Sequence, residues 1–532
     1  MAAGRNALKR GVPLYEVSLR PRILAAVRIR RHVLGAAAGA TLAFALAPTA
    51  VRAGSSTEVA VTATAQDSTE PSVAVNPTNA QNVVIAYMFH AKGIDTWLGV
   101  ATSFDGGATW STQYLPFTGT PATVATLNAD TSVDGTFADP DVVFDSAGNA
   151  YVSGIAYNHT FEHGAVLVSR SSDGGRTWGT PNVAIQGTSD CGPSNCIDRP
   201  WLAVAPGGTL YLVAQTIFVN GEADLLSHEY LTSSSDGGTT WTAATAVDDA
   251  SYRADTLPEG TITVTPGGVV AIAYNASAVP EGIPCPCLAV ATTTDGGATF
   301  TYHTVTTATE ANYGVNLGDQ AEPEVDGQPD VYRFALAPTI VADPAVDGRL
   351  VIARLSFPGT VPYQIEKQGQ IQATQFESDD TGATWSAPVV VQQSSATSSD
   401  RLWAAYDGAG HLGVVFRSHQ GRCCNTAFEI WGASSGGDLS FASPSELSTA
   451  DSPDSGAGQG LGDDFIGGAM SGSSLLAAWS DDRSGTKQIY FATTPLPAAP
   501  AAATSQAGPL LAGGAVGGVA PLAIRRRRKG SR

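Results

Sequence analysis

The sequence predicts an all-β fold, a closed β-propeller of seven blades. Three observations predict it. A short motif, Ser/Thr-x-Asp-x-Gly-x-Thr-aromatic, recurs along the chain, with its third position at 105, 173, 236, 295, 380 and, in decayed form, 436. Each copy lies between strand-like apolar segments in the same order, and repeats of this length with strand flanks read as propellers or solenoids. The last unit has only three strands, and a lone strand near the N-terminus, Thr57 to Ala65, can complete it. Closing the ring in this way removes the open edges on which sheets aggregate.

The first unit sets the pattern. Glu70-Pro71-Ser72-Val73-Ala74-Val75 reads as a first strand and Val83 to Tyr87 as a second; a third ends at the motif and a fourth begins at Trp110. The same order restarts at Asp139, Arg199, Glu259, Ala337, Arg401 and Asp464. Because strands alternate in direction, the motif turns share one face with the one–two turns. The opposite face gathers the leading ends of the first strands and the two–three loops.

The motif has a local physical reading. An Asp side chain accepts backbone N–H groups and fixes a tight turn, and the glycine tolerates positive φ. The aromatic residue then packs between neighbouring sheets. The motif resembles the Asp box (BNR repeat) of the sialidase-like propeller superfamily. The resemblance rests on Ser103–Trp110, Ser171–Trp178, Ser234–Trp241, Thr293–Phe300 and Ser378–Trp385, with Ser434–Phe441 as the decayed sixth, and spans about residues 57–495. It implies that Asp105, Asp173, Asp236, Asp295 and Asp380 are structural and lie away from the ligand face. Sialidases proper have six blades, so a six-bladed ring is the alternative count.

Charge narrows the partners. The chain carries a formal net charge of −19, but residues 1–53 hold nine Lys/Arg against one acid and 525–532 hold six Lys/Arg and no acid. Residues 54–524 therefore have 14 basic and 47 acidic side chains, a net −33. Such a surface repels nucleic acid and anionic lipid. Residues 1–53 read as a secretory signal: Arg30-Arg31 precede the apolar run from Val33 to Ala47, with cleavage after Ala53. The paired arginines suggest the twin-arginine route. Residues 54–495 form the propeller and 496–508 an Ala/Pro-rich linker. The apolar stretch 509–524, followed by Arg525–Lys529, resembles a surface-retention tail and is the expected place of membrane contact. The expected location is secreted or cell-surface.

One residue per blade falls at the mouth of the ring: Glu70, Asp139, Arg199, Glu259, Ala337, Arg401 and Asp464. The resemblance to sialidases implies three arginines for a substrate carboxylate, a proton donor and a tyrosine nucleophile activated by a glutamate. Arg199 and Arg401 occupy equivalent places, with Arg417 or Arg354 as the third, Glu259 and Asp139 as carboxyl partners, and Tyr332 or Tyr363 as the tyrosine. Thr69-Glu70-Pro71 stands where an Arg-Ile-Pro signature is expected, which turns the balance toward recognition of an extracellular glycan or protein, with exo-α-sialidase activity as the alternative.

Six cysteines, Cys191, Cys196, Cys285, Cys287, Cys423 and Cys424, map to the mouth face and in an exported chain read as disulfides. Cys191–Cys196 is an easy local loop; the other pairings stay open, as does a soft-metal site at Cys285/Cys287 with Cys423/Cys424. Asp130, Ser132, Asp134 and Asp141 have the oxygen-ligand spacing of a calcium loop, with Asp in place of the usual final Glu. No cofactor is otherwise required. Residues 309–336 are a polar insertion placed as a lid, and His90 and His159 follow second strands on the same face. No phosphate-binding glycine motif, zinc-type His spacing or nucleophile elbow occurs.

Overall fold

Apolar runs such as Val83–Tyr87 alternate their side chains between two faces, and both faces are buried. Val83 and Ile85 join one core cluster, with Leu476, Ala478 and Phe491; Val84 and Ala86 join another, with Phe137, Val142 and Val152. A sheet buried on both sides needs a neighbour on each side, and a ring of sheets supplies that everywhere.

The structure, a computed structural model, describes residues 57–92, 95–117, 136–157, 164–187, 197–216, 227–254, 258–280, 287–306, 337–356, 372–391, 397–420, 427–436, 439–453, 465–472 and 474–495. The chain divides into two units, 1–50 and 51–532, and all described residues belong to the second. Seven antiparallel blades form the ring. After β1 (Thr57–Ala60), blade one is β2 (Ser68–Val75), β3 (Val83–Lys92), β4 (Asp95–Ser103) and β5 (Ser111–Tyr114). Blade two is β6 (Thr136–Phe144), β7 (Ala150–Tyr157), β8 (Gly164–Ser171) and β9 (Asn182–Gln186). Blade three is β10 (Ile197–Val204), β11 (Leu210–Thr216), β12 (Glu229–Ser234) and β13 (Thr245–Ala246). Blade four is β14 (Thr261–Val264), β15 (Val270–Ala276), β16 (Cys287–Thr293) and β17 (Thr301–Thr306). Blade five is β18 (Thr339–Ala342), β19 (Leu350–Ser356), β20 (Gln372–Ser378) and β21 (Val389–Val390). Blade six is β22 (Thr397–Tyr406), β23 (Leu412–Gln420), β24 (Phe428–Ser435) and β25 (Ser445–Glu446). Blade seven is β26 (Gly467–Ser471), β27 (Ser474–Asp481) and β28 (Gln488–Pro495), completed by β1. Among the described residues one parallel pairing, Thr96 with Thr136, joins blades one and two.

The ring closes as the sequence predicts. β1 pairs with β28 from Thr57–Thr493 to Ala60–Tyr490. The pairing is shorter than the predicted 57–65 strand, because a side chain takes over from the backbone ladder. Gln488 Oε1 accepts Thr62 Oγ1 and Thr64 N, both at 3.0 Å. Glu58 adds a second latch, accepting Arg483 Nη1 at 2.8 Å and Thr449 N at 2.7 Å. Asp464 lies outside the described residues, and the first strand of blade seven begins at Gly467.

The five motif turns share one hydrogen-bond pattern. In the first, Asp105 Oδ1 accepts Ser103 Oγ and Thr109 N at 2.8 Å, Oδ2 accepts Thr109 Oγ1 at 2.6 Å, and Gly107 N donates to Ser103 Oγ at 2.8 Å. Asp173, Asp236, Asp295 and Asp380 repeat it. The first glycine is left-handed in four turns (φ 73 at Gly106), and Thr381 takes that role in the fifth at φ 63. Trp110 lies edge-on to Phe491 of blade seven at 5.0 Å, so the turn also packs against the neighbouring blade. The decayed sixth copy keeps its shape through backbone bonds, Ala442 N to Ser434 O and Leu439 N to Gly436 O, both at 3.0 Å.

Candidate functional site

The first strands line an axial cavity of about 480 Å³, walled mostly by valine, leucine, isoleucine and alanine, with Trp201, Trp403 and Tyr406 among the lining and Ser72, Asp141, Thr261, Thr263 and Thr339 as polar members. The polar residues tie one blade to the next. Ser72 Oγ accepts Val142 N at 3.2 Å and donates to Asp141 Oδ1 at 2.8 Å, while Asp141 Oδ2 accepts Leu202 N at 2.8 Å. Thr261 Oγ1 does the same for blade five, accepting Ile340 N at 3.0 Å. Burial nonetheless pushes the Asp141 carboxyl up to about 6.

Above the cavity the leading ends of four first strands adopt one unusual conformation. Glu70, Asp139, Arg199 and Glu259 have φ of 53, 52, 48 and 51. A left-handed backbone costs a non-glycine residue on the order of 1–3 kcal/mol and persists where the surroundings impose it. At the first three, a proline follows (Pro71, Pro140, Pro200) and the ladder slips by a bulge, between Thr69 and Ser72, Ala138 and Asp141, and Asp198 and Trp201. Proline disfavours the right-handed helical region for the residue before it, and the bulge re-aims that residue's side chain.

The four residues are linked around the ring. A Glu70 carboxylate oxygen accepts Asp139 N at 3.2 Å, and an Asp139 carboxylate oxygen accepts Arg199 N at 3.2 Å. Arg199 Nε lies 3.0 Å from Glu259 Oε2, and Glu259 N donates to Gln215 Oε1 at 2.7 Å. The Arg199 guanidinium also stacks on Phe465 at 4.7 Å, and Phe465 packs edge-on to Trp201, which in turn packs on Trp403.

Carboxyl groups crowd this arc. Asp198 is half-buried beside Arg199; burial first, then the charge of Asp139, pushes its carboxyl well above the usual range. Tyr157 donates its hydroxyl to Ile197 O; burial, then Asp198 and Asp139, raises it strongly. Glu229 is fully buried, and burial with Asp248 and Glu259 pushes it well up. Gly260 stands where the other strands have proline, since a Cβ there would sit 2.4 Å from the Glu229 carboxyl carbon. At the rim, His228 Nδ1 lies 3.1 Å from Asp248, whose hydrogen bond raises the imidazole.

Blades five and six bring arginines to the same face. Arg401 and Arg417 are directly opposed across β22 and β23, both nearly buried, and Arg417 lies over Phe428 at 4.5 Å. Arg401 lines a small cavity with Trp201, Trp403 and Phe465. Arg354 is buried in β19, which pushes its guanidinium down to about 9.

Of the predicted site residues, Asp139, Arg199 and Glu259 therefore come together in one chain of contacts, and Arg401 lines the same small cavity as Phe465. Asp141 is a strut between blades one, two and three; Asp130, Ser132 and Asp134 lie outside the described residues. Among the described residues no group of three His, Cys, Asp or Glu side chains is arranged to hold a metal ion. Cys287 is buried and disulfide-bonded; Cys191, Cys196, Cys285, Cys423 and Cys424 lie outside the described residues. So do Tyr332, Tyr363, His159 and the insertion at 309–336. His90 Nε2 contacts Thr69 Oγ1 at 3.3 Å. Asp198, Tyr157, Gln215 and Glu229 escaped sequence reasoning. Only Asp198 had a usable signal, standing next to Arg199 at a strand's leading end.

The sequence matches no protein-family profile and no curated protein. Among solved structures, the chain is similar to a Dyadobacter fermentans protein of unknown function (14% identity, TM-score 0.44, covering 84% of this chain and 99% of that one). It is also similar to the Hadza microbial sialidase Hz136 (15%, 0.42, 79% and 75%). A third is a point mutant of the α-L-arabinofuranosidase arb93a of Fusarium graminearum (13%, 0.44, 69% and 93%). At such identities and scores the likeness says nothing about this chain's activity.

Proposed function

We propose that the chain is an exported member of the sialidase-like Asp-box propellers that recognises an extracellular glycan at the mouth of blades one to four. The observation that carries this reading is the repeated left-handed backbone at Glu70, Asp139, Arg199 and Glu259. Strain repeated at one end of four blades marks a functional face more readily than a structural one. The acidic arc, the aromatic residues Trp201, Trp403 and Phe465, and the cavity below supply the polar and apolar contacts that a sugar needs. Signal-directed export and retention by the basic C-terminal tail belong to the same proposal, on the sequence features already described. Binding to a glycan array, compared between the wild-type protein and its Asp139→Asn and Arg401→Ala variants, tests it: loss of a wild-type signal in the variants supports the reading, and no wild-type signal counts against it.

A second reading, glycoside hydrolysis, is favoured by one specific observation, the run of carboxyl groups linked along this mouth, Glu70 to Asp139 N, Asp139 to Arg199 N and Glu259 to the Arg199 guanidinium. In its sialidase form this reading asks Arg199 to hold a substrate carboxylate, whereas its guanidinium is turned onto Glu259 and Phe465. Hydrolysis of a fluorogenic sialoside tests that form directly.

A further inference from the structure

The seam between blades three and four closes over a carboxyl group at the mouth. Gln215 of β11 and Glu229 of β12 are paired across the ladder, so their side chains share one face of the sheet. Val213 and Leu231 lie two residues away on the same face, in the core cluster shared with Ile262, Val270 and Ile272 of blade four. Glu229 therefore faces blade four, and its carboxyl is fully buried against Gly260. Among the described residues neither oxygen has a side-chain hydrogen-bond partner, and only the Gly260 N–H approaches it. The charged groups acting on it are Asp248, from the segment after β13, and Glu259, just ahead of β14. Arg199 of β10 pairs with Glu259 at 3.0 Å and His228 with Asp248 at 3.1 Å; among the described residues no ion pair is made by Glu229 itself. From β15, Tyr274 stands near it and donates its hydroxyl to Tyr252 O at 2.8 Å. A carboxylate buried without a counter-ion is strongly disfavoured, so the group is held as the neutral acid.

We propose that Glu229 is a proton-dependent catch: as the neutral acid it lets the seam between blades three and four close, and when it ionises the seam opens. The consequence for ligand binding rests on the reading of this mouth as a glycan site, and names the regulation of that site. Ionised in place, Glu229 sets a third negative charge beside Glu259 and Asp248. Opening the seam relieves this by bringing water to the carboxylate. It also releases what crosses the seam, the bond from Glu259 N to Gln215 Oε1 at 2.7 Å and the reach of Arg199 to Glu259. Glu259 keeps its left-handed backbone, φ 51, only while its surroundings impose it, so an open seam frees that residue. Gly260 is fitted to the closed state, since a Cβ there would lie 2.4 Å from the Glu229 carboxyl carbon. Burial fixes the direction. The closed seam holds the proton more tightly than the open one. Closure is therefore favoured at low pH and is lost progressively as pH rises from the ordinary glutamate value, about 4.5, through the raised value of the buried group.

Hydrogen exchange of the Glu259 amide reads the seam, measured on the purified full-length protein and corrected for the intrinsic rate at each pH. In the wild type its protection should fall about tenfold per pH unit from about pH 5 to about pH 7, the slope of one released proton. In Glu229→Gln, which cannot ionise, it should stay flat. A flat wild-type profile, or a slope that Glu229→Gln keeps, overturns the proposal. Infrared spectroscopy with carboxyl-labelled glutamate reads the same proton without a variant, so a failure of Glu229→Gln to fold does not blunt the test. A protonated-glutamate stretch at about pH 6 is expected, and its absence overturns the catch. Glycan-array binding tests the consequence: the wild-type signal should weaken from about pH 6 to about pH 8, while that of Glu229→Gln holds. A wild-type signal that does not change with pH overturns the regulation. No wild-type signal at any pH counts against the glycan reading, and the exchange profile alone then decides the catch.

Discussion

Arg199 and Glu259 form a buried ion pair across the seam between blades three and four, Nε to Oε2 at 3.0 Å, with side chains 4% and 1% exposed. Both residues sit in left-handed backbone, so the pair holds two strained strand ends against each other. Removing one partner leaves a buried charge without its counter-ion. Arg199→Ala is expected to lose about 3–5 kcal/mol of unfolding free energy. The double variant Arg199→Met/Glu259→Leu, which removes both charges, should lose clearly less in the same denaturant titration.

Asp141 gives the ring a pH dependence of definite sign. Its folded-state value is raised by burial to about 6, above the unfolded value. Its contribution is therefore fully present below about pH 4 and is lost as pH rises through about 6. The stability of the wild type relative to Asp141→Asn should fall across that window by on the order of 2–3 kcal/mol. Melting temperatures of both proteins at successive pH values check this.

The motif turns behave oppositely. Hydrogen bonds from Thr109, Thr240 and Thr299 hold the carboxyls of Asp105, Asp236 and Asp295 down to about 2. Their stabilising contribution is present above about pH 4 and disappears as pH falls toward about 2. An acid titration followed by near-ultraviolet circular dichroism should show blade packing lost in that range, and earlier in an Asp105→Asn/Asp295→Asn variant.

Gly107 tests how the turns bind neighbouring blades. Its φ is +95, and an added Cβ would lie 2.1 Å from Phe491 Cε1. Gly107→Ala combines backbone strain with a clash across the one–seven seam and should cost about 2–4 kcal/mol in an unfolding titration. Gly208→Ala has positive φ but nothing within 4 Å, so it should cost less.

Ring closure is separately testable. Deleting residues up to 66 removes β1 and the Glu58 latch, leaving the ladder edge of β28 unpaired. An open edge invites pairing with another chain. Light scattering should show self-association in the shortened protein and a monomer-sized species in the wild type or in Glu58→Gln.

The blades, the motif turns and the closing strand were legible in the sequence because each rests on local spacing: an Asp four residues before a Thr, or an apolar run of strand length. The mouth was legible only in part. Aligning first strands finds Asp139, Arg199 and Glu259, since each occupies the same place in its repeat. Linear spacing does not reveal that Arg199 is engaged by Glu259, or that Glu229 and Gln215 sit behind them, because these contacts join strands of different blades. The role of Asp141 was hidden for the same reason: its oxygens are satisfied by Ser72 and Leu202, on either side in the ring.

The proposed function places ligand binding at the mouth of blades one to four. The most direct measurement is glycan-array binding by the wild type beside two variants of opposite faces, Asp139→Asn at the mouth and Asp295→Asn in a motif turn. The account predicts a wild-type signal that Asp139→Asn abolishes and Asp295→Asn retains. A signal lost in the turn variant but kept in the mouth variant would contradict it.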